Sequence, residues 1–104
     1  MLLRKYQIKI GDIKNIDNKL KGININIKQL KYFLVVAEER QITSAAKKLY
    51  IAQPPLSYHL KQLEKEVGVQ LFVRTAHGIE LTEEGKVFQK YAEKIVSLSI
   101  SAQS

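Results

Sequence analysis

The chain has no cysteine, so neither a disulfide framework nor a thiolate metal site is open to it, and a reducing compartment is the expected setting. Its two histidines, His59 and His77, lie far apart, and no Asp, Glu and His group falls at metal-ligand spacing, so no metal site is expected. No serine, histidine and carboxylate make a nucleophile–base arrangement, and no glycine-rich phosphate loop occurs. The sequence therefore reads as a non-enzyme that needs no cofactor. No apolar run approaches a membrane span, and no apolar stretch follows the N-terminal charges as in a secretory signal; a cytoplasmic protein without a membrane partner is the expectation. Acidic residues are scarce: 10 Asp and Glu stand against 17 Lys and Arg, a net charge of +7 over 104 residues that favours a polyanionic partner. The excess is uneven, since residues 1–24 hold six Lys/Arg and two Asp, leaving eleven and eight for residues 25–104.

What is present is a helical pattern with an abrupt interruption. Residues 43–63, TSAAKKLYIAQPPLSYHLKQL, read as two short helices joined by a tight connection. Thr43 is expected to cap the first, with Ala45, Ala46 and Leu49 as its apolar stripe. Pro54 suits the first position of the second, where its missing N–H costs nothing. Leu56, Leu60, Leu63 and Val67 follow at spacings of four, three and four, so one face is buried. The opposite face carries Ser57, Tyr58, Lys61, Gln62 and Lys65, all hydrogen-bonding and none acidic. Glu64 and Glu66 are expected to point away from the Ser57–Lys61 edge. Such a pair of helices is a helix-turn-helix suited to a major groove, which makes double-stranded DNA the expected partner.

Around this pair the chain divides into three. Residues 1–24, rich in Ile, Lys and Asn, form a basic, weakly structured extension: a floppy tail, an upstream stretch read through from a misplaced start, or an arm that adds phosphate contacts. Residues 25–81 form the DNA-binding domain. Its first helix begins with Asn26 and Gln29 as a capping box and buries Ile27, Leu30, Phe33, Leu34 and Ala37. Gly68 closes the helix that Pro54 opens, and the period then changes to two: Leu71–Arg74 and Ile79–Leu81 are short strands about a turn at Ala76-His77-Gly78. Residues 82–104 form a final helix capped by Thr82, with Glu83 and Glu84 at its positive end and a stripe of Val87, Phe88, Tyr91, Ile95 and Leu98. The fold class is mainly α with one β-hairpin, a winged helix-turn-helix followed by a long C-terminal helix. His59, flanked by Leu56, Leu60 and Leu63, reads as a half-buried helical histidine.

From Ile27 to about Ile95 these residues resemble the N-terminal DNA-binding domain of LysR-type bacterial transcriptional regulators. The resemblance is carried by L-x-Y-F-x-x-V-A-E (Leu30 to Glu38), T-x-A-A-x-x-L (Thr43 to Leu49) and A-Q-P-P-L-S (Ala52 to Ser57). It continues through Q-L-E-x-E-V-G-V-x-L-F-x-R (Gln62 to Arg74) and L-T-E-x-G (Leu81 to Gly85), in order and without gaps. The resemblance implies a regulator that binds a partly palindromic site as a homodimer, paired through the linker helix by Phe88, Tyr91, Ile95 and Leu98. It also implies groove contacts from Gln53, Pro54, Pro55, Ser57 and Tyr58, phosphate or groove-edge contacts from Thr43, Lys61 and Arg74, and a minor-groove wing bearing His77. Four positions depart from the family pattern: Tyr58 often corresponds to Arg or Gln, His59 to a polar residue, His77 to Arg or Lys, and Arg40 to Gly. The last departure places a side chain where glycine would turn easily. Full-length members carry a C-terminal effector domain, so with the sequence ending at Ser104 no small-molecule effector site is expected in this chain. A second class of function stays open beside the first, an interaction module whose terminal helix pairs with a full-length relative.

Overall fold

The computed structural model describes residues 2–3, 8–9 and 27–103. Near the N-terminus, β1 (Leu2–Leu3) pairs antiparallel with β2 (Ile8–Lys9), Leu2 opposite Lys9 and Leu3 opposite Ile8. The rest of the basic extension, and Asn26 of the expected capping box, lie outside the described residues.

Helix α1 spans Ile27–Glu39 and buries Leu30, Tyr32, Phe33 and Val36. The stripe expected from spacing is rotated: Leu34 and Ala37 are only partly buried, and Tyr32 and Val36 take the interior instead. The reason is that α1 is covered on two sides, by the helix-turn-helix and by the C-terminal helix. Phe33 is the hub. Its ring meets Phe88 edge-on at 5.0 Å and Phe72 at a tilt, 5.1 Å between centroids. Removing a fully buried ring of this kind costs about 3–5 kcal/mol.

Arg40 ends α1 in the left-handed region, φ 61°, its N–H donating to the Val36 carbonyl at 2.9 Å. Helix α2 (Ile42–Leu49) follows and buries Ile42, Ala45 and Ala46. Thr43 is not its cap. Burial of Ile42 draws the helix start two residues earlier, and extended Gln41 is the N-cap, without a side-chain hydrogen bond. Tyr50 closes α2, also left-handed at φ 56°, its N–H donating to Lys47 and that of Ile51 to Ala46. These paired bonds form a Schellman stop with tyrosine where glycine is usual. Helix α3 (Gln53–Val67) begins one residue before the expected Pro54, with Ala52 as N-cap. Both prolines lie in the first turn, where N–H groups have no intrahelical acceptor. Leu56, Leu60 and Leu63 face the core, and Gly68 ends the helix at φ 85°.

Strands β3 (Phe72–Thr75) and β4 (Gly78–Leu81) pair antiparallel in the register Phe72↔Leu81 to Thr75↔Gly78. Helix α4 (Glu83–Gln103) then packs across α1. The Thr82 hydroxyl accepts the Gly85 N–H at 2.9 Å, as the sequence anticipates, and donates to the Gln70 carbonyl at 2.7 Å. The architecture is a winged helix-turn-helix with a long C-terminal helix.

Candidate nucleic-acid interface

The site is organised by α3, whose buried leucines leave the other face in solvent. Gln53, Pro54, Pro55, Tyr58 and Lys61 are exposed and Ser57 is half-exposed. Pro54, Ser57, Tyr58, Lys61 and Lys65 share one side by helical spacing, opposite Leu56, Leu60 and Leu63. Tyr58 keeps 59% of its surface in solvent, a large share for an aromatic side chain on an ordered helix.

Charge on this face is positive. No carboxylate among the described residues pairs with Lys61 or Lys65. Glu64, one residue before Lys65, is turned aside: its Oε2 accepts the backbone N–H groups of Leu71 and Phe72 at 2.7 and 3.2 Å. That carboxylate serves the base of the hairpin instead of cancelling the lysines. Lys48 on α2 differs from Lys61, since Glu38 and Glu39 at 3.6 and 3.5 Å hold it and raise its pKa above the ordinary lysine value. The pair is exposed and so contributes little stability, but it removes Lys48 from the free positive charge. Lys47 remains in solvent.

The hairpin is fastened to the helices at both strands. Glu64 ties down β3, and the Ile79 N–H of β4 donates to the Arg40 carbonyl at 2.9 Å. Gly78 crosses so close to that carbonyl that a Cβ would overlap it, and its φ of 136° also excludes an ordinary side chain. Arg74 stands exposed on β3, and His77 is exposed at the tip, its N–H donating to Thr75 Oγ1 at 3.2 Å. Thr43 is exposed on the first turn of α2. The sequence-derived groove residues thus stand on α3, with Arg74 and His77 on the hairpin beside it. Spacing gave no sign of the Arg40–Ile79 fastening, because a backbone bond between distant residues has no periodicity.

The residues expected to pair two copies separate into two groups. Phe88 and Tyr91 are 5% and 8% exposed, and Phe88 packs on Phe33 in the chain's own core. Ile95 is half-buried against that core, and the Leu98 side chain lies outside the described residues. Val87, adjacent to Phe88 and thus on another side of α4, is 45% exposed. Among the described residues no helix is long and apolar enough to cross a membrane, and no three His, Cys, Asp or Glu residues are grouped to hold a metal ion.

The family model for the bacterial regulatory helix-turn-helix proteins of the lysR family matches residues 27–86. The chain is 51% identical over 78 residues to the HTH-type transcriptional regulator BudR of Klebsiella aerogenes, covering 75% of this chain and 54% of BudR. It is 56% identical over 73 residues to the HTH-type transcriptional regulator BsdA of Bacillus subtilis, 69% of this chain and 25% of BsdA. The chain thus spans from about half to a quarter of the length of these relatives. Among solved structures it superposes on the DNA-binding domain of BenM in complex with catB site 1 DNA, with a TM-score of 0.72 and 42% identity, over 75% of this chain and 88% of that one.

Proposed function

The chain belongs to the lysR family of bacterial regulatory helix-turn-helix proteins, and from that premise we propose that it is a sequence-specific DNA-binding module of a transcriptional regulator, working in the cytoplasm by binding and not by catalysis. The observation that carries this reading is the α3 face: a proline-led helix start, then Ser57, Tyr58 and Lys61 in solvent, with the adjacent Glu64 engaged elsewhere. Its likeness to a domain solved on DNA supports the same reading.

Helix α3 enters the major groove by its N-terminal half. Gln53, Pro54, Pro55, Ser57 and Tyr58 meet base edges, where serine donates or accepts and the phenol packs on a thymine methyl or hydrogen-bonds. Lys61 and Thr43 meet phosphates, which position the helix without reading sequence. Arg74 and His77 bring the hairpin to the neighbouring minor groove, where a narrow A·T-rich segment attracts cations.

The site is bound as a homodimer. By helical spacing Val87 falls on one line with Leu98, bordered by Tyr91 and Ile95. Two antiparallel copies of α4 cover these lines across a two-fold axis and set two α3 helices on successive turns of a partly palindromic site. Selection of bound duplexes from random DNA tests the reading. The expected product is an inverted repeat with defined half-sites, and a pool that stays random would overturn sequence-specific recognition.

A further inference from the structure

Tyr58 and His59 follow one another on α3, and the second explains how the first is held. His59 is half-buried, with its ring set edge-on to two tyrosines. Tyr32 of α1 lies at 5.4 Å with the planes at 66°, and Tyr58 lies at 5.8 Å with the planes at 70°. Tyr32 is itself fixed, 8% exposed in the core, with the Lys28 ammonium 5.7 Å from its ring centroid. The rings therefore form a column from the interior of α1 to the exposed phenol of Tyr58. Edge-to-face contacts of this kind restrict a ring in orientation as well as position.

The geometry of the imidazole is set by its ring contacts. Its Nδ1 is buried and has no partner among the described residues, an arrangement that costs stability. An aliphatic side chain would fill the same space without that cost, but would offer no flat edge to either tyrosine. What His59 contributes is its ring.

We propose that His59 is a positioning residue for base recognition: wedged between Tyr32 and Tyr58, it fixes the phenol on the groove face and so sharpens the base preference that Tyr58 exerts. This rests on the reading of Tyr58 as a groove contact. A freely rotating tyrosine meets several bases equally well, whereas a fixed one selects the base that suits its single pose and loses no side-chain entropy on binding.

Selection from random duplexes, run on the wild type, Tyr58→Ala, His59→Gln and His59→Phe, with thermal melting to establish folding, separates the possibilities. Tyr58→Ala is expected to flatten the profile at one or two positions. His59→Gln is expected to flatten the same positions by about two- to tenfold, the range of an edge-to-face aromatic contact, while affinity for random DNA stays the same. His59→Phe, which keeps the flat ring, is expected to retain the profile. A folded His59→Gln protein with the wild-type profile, beside a flattened Tyr58→Ala profile, overturns the role of His59 alone. Should His59→Gln not fold, a folded His59→Phe protein with a flattened profile overturns it equally. An unchanged Tyr58→Ala profile overturns the groove reading of Tyr58, and the positioning role with it.

Discussion

Gly78 lies directly over the carbonyl oxygen of Arg40, the same oxygen that accepts the Ile79 N–H. The connection into the helix-turn-helix and the turn of the wing thus meet with no side chain between them. Gly78→Ala must open this contact and also adopt a positive φ, so a loss of about 2–4 kcal/mol is expected from overpacking and backbone strain together. Denaturant unfolding measures it. A loss below half a kilocalorie would show that the wing is not seated on Arg40.

Arg40 presents the opposite case. Its left-handed backbone is imposed by the end of α1 and by its bond to the wing, although arginine does not favour it. Glycine adopts this region freely but loses more entropy on folding, so Arg40→Gly is expected to stabilise the domain by about 0.5–1 kcal/mol net. Equilibrium unfolding of the two proteins decides the sign, and destabilisation would mean that the Arg40 side chain contributes more than its backbone costs.

Ser57 and Lys61 occupy the same face and are assigned different work. Replacing Ser57 by Ala is expected to cost about 1–3 kcal/mol on the selected site and little on random duplex. Replacing Lys61 by Ala is expected to weaken both alike and to lower the slope of log affinity against log salt by about one unit. Titrations at several salt concentrations check both. Equal losses on both duplexes for Ser57→Ala would remove it from base reading.

The dimer is tested most cleanly at Val87, which is exposed and so tolerates replacement without disturbing the fold. Val87→Lys combined with Leu98→Lys is expected to give a folded monomer with much weaker binding to the selected site. Sedimentation of both proteins at micromolar concentration reads the outcome. A monomeric wild type would overturn pairing through α4 and leave the groove face untouched.

Much of this was legible in the residues, and the failures are instructive. Leu56, Leu60 and Leu63 place α3 correctly because one face of it is buried by a single layer, the situation that helical periodicity describes. The α1 stripe differs from its spacing at Tyr32 and Val36 because that helix is covered from two directions, which widens its buried face beyond a single line. Thr43 looked like a cap by residue type, but the hydrophobic demand of Ile42 moved the helix start past it. In the apolar stripe of α4, Phe88 resembles Ile95, and nothing in its order reveals that it packs on Phe33 inside the chain. The solvent face of α3 was readable because polar residues stood opposite leucines. The Tyr32–His59–Tyr58 column was not, since it depends on how two helices cross.

Glu64 ties β3 to α3, and Arg40 ties β4 to the end of α1, so both strands of the wing are restrained against the helices. One base pair inserted between the positions met by α3 and those met by the wing rotates the second set by about 34°, the twist that 10–10.5 base pairs per turn imply. A flexible wing would follow that rotation. If both α3 and the wing meet DNA as proposed, a wing tied at both strands resists that rotation, and binding is expected to depend on the helical phase of the site as well as on its bases.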